Sequence, residues 1–194
     1  MKLTIVHQES YSRGELLLRT FFGFLYIAIP HGFLLFFLGI WGLILMLIAF
    51  FVVLFTGNYP RNFFEYQVEL MRWNLRVQSR IMNLSDGYPP FGLKATDSAI
   101  ELEIPYPEKL GRLLLIVRVL FGWIYIYIPH GFLLFFRAIA TCFVIFIAWW
   151  AVLFTGKYPQ GMHNFVVGLI RWSTRVSVYT CFMSDTYPPF SGKE

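Results

Sequence analysis

Ile29-Pro30-His31-Gly32-Phe33-Leu34-Leu35-Phe36-Phe37 lies inside a run of 40 residues, Leu16 to Phe55, that carries one charge, Arg19. The same words return 99 residues later as Ile128-Pro129-His130-Gly131-Phe132-Leu133-Leu134-Phe135-Phe136. That second copy lies inside Leu113 to Thr155, 43 residues with two charges, Arg118 and Arg137. The flanking words repeat at the same offset. Leu54-Phe55-Thr56-Gly57 with Tyr59-Pro60 returns as Leu153-Phe154-Thr155-Gly156 with Tyr158-Pro159. Arg72-Trp73 and Arg76-Val77 return as Arg171-Trp172 and Arg175-Val176, and Asp86 with Tyr88-Pro89-Pro90-Phe91 returns as Asp185 with Tyr187-Pro188-Pro189-Phe190. A fixed period of this kind sets the architecture before any local signal does. It gives two tandem copies of one unit, residues 1–91 and 99–194, joined by a linker at 92–98.

Composition makes the unit a membrane unit. The chain is 57% hydrophobic, 20% aromatic and only 14% charged, with a mean hydropathy of +0.59. A soluble domain is closer to half apolar and a quarter charged. A bilayer-crossing helix needs about 20 apolar residues, so each apolar block is about two spans long. The first block is too long for a cleaved signal peptide, and no small-residue cleavage site follows it. Cys142 and Cys181 are not repeat-equivalent and lack any zinc-type spacing, which leaves them ordinary packing roles.

Each unit has four parts. The first is a short extended piece, Lys2 to Val6 or Ile100 to Ile104. In the second, Ile100, Leu102 and Ile104 alternate with acids, the period of a half-buried strand. The two strands can pair with each other. The apolar block follows, with Pro30 and Pro129 as kinks or first-turn residues. The block is expected to form a hairpin: one span from about Gly14 to Phe37 and a second from about Ile40 to Phe55. Arg137 then sits at a hairpin tip, where a charge is cheaper than at the bilayer centre. A re-entrant hairpin that never crosses is the rival arrangement. Gly57 and Gly156 stop the helix, and Pro60 starts another. From Pro60 to Leu84, Glu65, Glu69, Arg72, Arg76 and Arg80 form one stripe opposite an apolar side. Such a helix lies in the membrane interface or over the ends of the spans. The Asp-x-Tyr-Pro-Pro-Phe tail closes the unit. The fold class expected is all-α integral membrane: two tandem repeats, each a short strand, a transmembrane helical hairpin and a cytoplasmic-side amphipathic helix.

These words carry a resemblance. Ile-Pro-His in an apolar run, Leu-Phe-Thr-Gly-x-Tyr-Pro, Arg-Trp-x-x-Arg-Val and Asp-x-Tyr-Pro-Pro-Phe stand at Ile29–His31, Leu54–Pro60, Arg72–Val77 and Asp86–Phe91, and again 99 residues on. With them the chain resembles uncharacterised bacterial membrane proteins grouped only as a domain-of-unknown-function family. The resemblance covers nearly the whole chain and implies a multi-pass bacterial membrane domain. It implies no activity.

Loop Lys and Arg set orientation. Of 16 basic residues, 13 fall outside the apolar blocks. With two spans per unit they share one side, the cytoplasm, with both termini. The two direct repeats are then related by an axis along the membrane normal. The membrane expected is the bacterial inner membrane. A net charge of +5 suits an anionic leaflet, and no nucleic-acid reading module accompanies it.

Three groups of residues are candidates for chemistry. His31 and His130 are either paired ligands for haem or a metal, or proton carriers, or plain partners for carbonyls left free by Pro30 and Pro129. Arg72, Arg76, Arg171 and Arg175 either pair internally or grip lipid phosphate or a partner, with Trp73 and Trp172 beside them as an interfacial belt. Glu69 can pair with Arg72, Asp86 with Arg76, and Asp185 is the carboxylate left in the second unit, where Asn164 and Gly168 replace Glu65 and Glu69. Gly168 lets a partner backbone approach. Arg19 and Arg118 snorkel to the near interface, and Glu15 can pair with Arg19. No hydrolase triad, phosphate loop or metal-helix motif occurs. The function expected is therefore a non-enzymatic scaffold or accessory subunit of a larger inner-membrane assembly, in contact with lipids and other integral subunits. A lipid-handling protein using the Arg-Trp helices is the alternative, and a haem or electron-transfer subunit the second alternative.

Overall fold

A computed structural model describes residues 1–193. Strand β1 (Lys2–Ile5) pairs antiparallel with β2 (Ile100–Glu103). Between and after them run four helices: α1 (Arg13–Thr56), α2 (Arg61–Ile81), α3 (Arg112–Thr155) and α4 (Gln160–Thr180). α1 and α3 are each 44 residues long, and both are long and apolar enough to cross a membrane.

The expected hairpin does not form. Each apolar block is one continuous helix, without a turn at Gly39–Gly42 or at Arg137–Thr141. The reason is chemical. Residues 38–56 and 137–155 contain no Asn, Asp or Pro, and a helix satisfies every backbone group of an apolar run internally. Two glycines weaken a helix by only about 1 kcal/mol each. Pro30 and Pro129 do not end the helix either. A π turn precedes each, at Phe24–Ala28 and Trp123–Tyr127, where the Ile29 N–H reaches back to the Phe24 carbonyl and Ile128 to Trp123. The wider turn gives the proline ring room. The long helices stop at Gly57 and Gly156, whose φ of 77° and 71° are left-handed and disfavour a side chain.

α2 folds back along one stripe of α1. Leu16, Arg19, Gly23, Ile27, His31, Gly42, Leu45, Ala49 and Val53 are buried, at helical spacing, while the rest of α1 is largely exposed. α4 covers the matching stripe of α3, which includes Leu115, Arg118, Ile126, His130, Thr141, Ala148 and Val152. The expected polar stripe of α2 is therefore a mixed one. Arg76 and Arg80 are buried, at 2% and 5% exposure, and face the linker rather than solvent.

The units clasp each other symmetrically. Tyr11 donates its N–H to the Gly156 carbonyl and Leu110 its N–H to Gly57, each at 2.8 Å. These are repeat-equivalent bonds in opposite directions. In the sheet, Leu3 lies opposite its own repeat-equivalent, Leu102. A pseudo-twofold axis thus passes through the sheet, and α1 and α3 run antiparallel, joined near both ends. The sheet packs on α2 and α4. Leu3, Ile5 and Leu102 point into the shared core with Leu16, Leu75, Val152, Val166 and Ile170, while Lys2, Glu101 and Glu103 point out.

Candidate functional site

The repeated words meet in one place per unit. Pro30 has no N–H, so the carbonyl of Tyr26, four residues back, lacks its helical donor. The Tyr88 hydroxyl supplies one, donating to Tyr26 O at 2.8 Å. Tyr187 does the same for Tyr125, the carbonyl orphaned by Pro129, also at 2.8 Å. A tail residue thus completes a helix 62 residues upstream.

His31 stands next to that repair. It accepts at Nδ1 from Trp73 Nε1 (2.8 Å), and Phe91 stacks on its face at 3.9 Å with an interplanar angle of 6°. His130 repeats the arrangement with Trp172 (2.9 Å) and Phe190 (4.1 Å, 8°). Indole is a donor only, so each Nδ1 is an acceptor and the proton of the neutral ring sits on Nε2. Neither nitrogen then offers a free lone pair to a metal or haem iron. The prolines' free carbonyls go to Tyr88 and Tyr187, not to the histidines. No ring contact joins His31 to His130, and the described residues contain no group of three His, Cys, Asp or Glu able to hold a metal.

Asp86 closes the unit on its other side. One carboxylate oxygen accepts from the Ser12 N–H (2.6 Å) at the start of α1, the other from Arg19 Nη2 (2.8 Å). Arg19 also donates to Asn83 Oδ1 (3.0 Å) and to Glu15 (3.1 Å). Asp185 takes the Gly111 N–H (2.6 Å) and Arg118 Nη2 (2.9 Å) in the same way. The two aspartates pair with the arginines of the long helices, not with Arg76 or Arg175. Arg19 and Arg118 are accordingly buried against the tail rather than stretched to an interface.

The arginines of α2 and α4 bind carbonyls. Arg72 donates from Nε and Nη2 to Leu102 O (3.0 and 2.9 Å), and Arg171 from the same atoms to Leu3 O (3.2 and 3.0 Å). Each arginine holds the other unit's half of the sheet, or its approach to it, at the pseudo-axis. Arg76 donates to the Gly92 and Ala95 carbonyls (2.5 Å each), and Arg175 to Ser191 O (3.2 Å). Burial lowers the affinity of Arg76 and of Arg175 for their protons. No ion pair joins Arg72 to Glu69. Both line a groove of about 490 Å³ with Lys94, Asp97 and Glu101, where charges of both signs alternate. Gly168 faces its own chain, not a partner. A Cβ there would meet the Arg137 guanidinium at 2.5 Å, and the backbone of Gly192 rests against it. Cys142 is exposed on the apolar side of α3, and Cys181 is half-buried and free.

One polar cluster had no signal in the repeats. His7 donates from Nε2 to Tyr158 O (2.7 Å) and its ring meets that of buried His163 edge-on at 4.9 Å. The equivalent positions, Tyr106 and Phe64, form an aromatic contact instead, at 5.1 Å. Burial, and then the neighbouring His7, pushes His163 down to about 4.

A search of curated proteins and of solved structures finds no match. A family model described as a domain of unknown function, DUF4389, matches residues 15–92 and again 118–192. The two matched segments contain the proline-tyrosine repair, the His-Trp-Phe stack and the Asp-Arg lock of their respective units. The chain therefore belongs to the DUF4389 family and carries its domain twice in tandem.

Proposed function

We propose that the protein is a non-enzymatic, membrane-embedded scaffold or accessory subunit of a bacterial inner-membrane assembly, with its termini and its sheet on the cytoplasmic side. One observation carries this reading: the proline-tyrosine, histidine-tryptophan and aspartate-arginine contacts of the motifs close inside the chain, while α1 and α3 expose a long apolar surface. Proline, tyrosine, histidine, tryptophan, aspartate and arginine of the motifs hold helix to tail and unit to unit. What they leave outward is hydrocarbon. Apolar surface on that scale calls for lipid or protein cover. The basic residues outside the two apolar blocks fit a cytoplasmic leaflet.

The test is fractionation followed by gentle purification. The chain is expected to stay with membranes after an alkaline wash and to leave mild detergent with a stoichiometric integral partner, seen by native mass spectrometry. A lone monomer both in detergent and in native membranes contradicts the accessory role.

A further inference from the structure

We infer that α1 and α3 lie in the plane of the membrane, side by side in one leaflet, and cross nothing. The inference rests on the membrane reading above and names what covers the apolar face: the acyl chains of a single leaflet.

The first argument is extent. Exposed apolar side chains run along α1 from Leu17 to Phe55 and along α3 from Leu113 to Phe154. No charged residue is exposed between those limits on either helix. At 1.5 Å per residue the α1 face is about 57 Å long, against a hydrocarbon core of about 30 Å. An upright helix would leave nearly half of that face in water. Fitting it by tilt requires about 60° from the normal, outside the range of about 0–40° seen for spanning helices.

The second argument is what lies beside the middle. α2 packs on the centre of α1, where Tyr66 donates to Leu38 O at 2.8 Å and Gln67 to Gly42 O at 2.6 Å. Beside that contact α2 carries Glu69 and Arg72, which line the charged groove with Lys94, Asp97 and Glu101. The sheet on the pseudo-axis exposes Lys2 and Glu101, joined at 2.8 Å, and Glu103. A crossing pair of long helices would carry these charges to the depth of the bilayer, where charged groups are found only in protein or water. Laid flat, the same helices leave them on the aqueous side.

Arg137 gives the third argument. It stands near the centre of α3, and its guanidinium turns to α4, over the Phe165 ring at 4.6 Å and donating to Phe165 O at 3.2 Å. It points to the polar layer, away from the exposed face.

Symmetry supplies the last. A twofold axis that reverses the direction of a helix is perpendicular to it. The two apolar faces therefore share the same component along the axis, and the sheet, which packs on α2 and α4 over the buried stripes of the long helices, lies on the side away from them. That is the geometry of a protein resting in one leaflet with its axis along the membrane normal, as in-plane amphipathic helices do.

The experiment uses the full chain in a Cys142→Ala, Cys181→Ala background. Single cysteines at Leu25, Phe36 and Leu47 lie three turns apart on one face. Each carries an environment-sensitive fluorophore quenched by lipids bearing nitroxides at fixed depths. Single cysteines at Ser10 and Asn58 mark the two ends of α1 for a membrane-impermeant maleimide, with detergent-solubilised protein as the reactivity control. The inference predicts one common, shallow depth for the three positions and labelling of both ends from the cytoplasmic side alone. Greatest depth at Phe36 with the ends labelled from opposite sides overturns it. Absence of quenching at all three positions, with the chain still in the membrane, overturns it too and assigns the face to a protein partner. Recovery of the chain in the soluble fraction defeats the membrane reading itself.

Discussion

Removing the Tyr88 hydroxyl isolates the repair of the proline break. In Tyr88→Phe the Tyr26 carbonyl loses the 2.8 Å donor that replaces the missing Pro30 N–H. The bond lies beside Phe24, Leu25 and Ile29, all exposed apolar residues of α1. If lipid or detergent covers that face, no water replaces the donor. An unsatisfied carbonyl then costs about 1–3 kcal/mol. For a chain of this size that lowers Tm by about 2–4 °C per kcal/mol, so by roughly 2–12 °C. The sharper test is a double-mutant cycle. Pro30→Ala restores a backbone N–H four residues after Tyr26, so the hydroxyl becomes redundant. The loss from Tyr88→Phe should shrink to under about 0.5 kcal/mol in the Pro30→Ala background, giving a coupling above about 0.5 kcal/mol. Thermal unfolding in mild detergent, followed by far-ultraviolet circular dichroism, reads all four proteins. Tyr187→Phe with Pro129→Ala should repeat the result, because the 2.8 Å bond to Tyr125 is the same repair. Equal penalties for Tyr88→Phe with and without Pro30 would refute the reasoning.

Arg118→Ala removes a side chain that is 2% exposed and takes its donors from Asp185, itself 33% exposed, and from the buried Tyr179 carbonyl; a loss of about 1.5–3 kcal/mol is expected, read as a fall in Tm. Arg72→Gln and Arg171→Gln each strip two charge-assisted bonds from a strand carbonyl, so both should lower stability by about 1.5–3 kcal/mol while anionic-lipid co-purification stays unchanged; loss of lipid without loss of stability would contradict the assignment. His163 stays neutral in the folded chain down to about 4 but protonates near 6.5 when unfolded. The stabilisation is therefore complete above about pH 6.5 and drains as pH falls toward 4, by about 2 kcal/mol at pH 5. His163→Phe, which installs the residue of the first unit, should remove that acid sensitivity, as Tm at pH 7.5 and pH 5 would show.

The duplication, the strand pair, the glycine stops and the extent of the second helix of each unit were legible in the sequence. The register, with Leu3 opposite its equivalent Leu102, was not legible, because the repeat alone fits Thr4 opposite Glu103 as well. The hairpin was misread because two spans' worth of apolar residues was taken to need a turn. Gly39 and Gly42 lack the Asn, Asp or Pro that would make one, and Gly42 instead lets Leu70 and Gln67 of α2 approach closely. The arginine pairings were misread because helix spacing points Arg72 at Glu69, whereas the tertiary fold presents Leu102's carbonyl. Buried carbonyls of another unit leave no pattern in sequence. The Tyr88–Tyr26 bond did leave one: Tyr26 sits four residues before Pro30, Tyr125 four before Pro129, and each unit keeps the same 62-residue distance to its tail tyrosine. Asking which carbonyl each proline orphans would have found it. The His7–His163 contact breaks the repeat and so had no second copy to announce it.

The claim on which the account turns is that each apolar block is a single helix. The direct measurement is the distance between spin labels at Leu17 and Phe55, both exposed, by pulsed electron paramagnetic resonance on the chain in lipid nanodiscs. A continuous helix separates these positions by about 57 Å along its axis, and a distribution centred near that value is predicted. A hairpin brings the two ends together, and a distribution centred below about 20 Å, close to two helix-packing distances of 8–10 Å, would contradict the account.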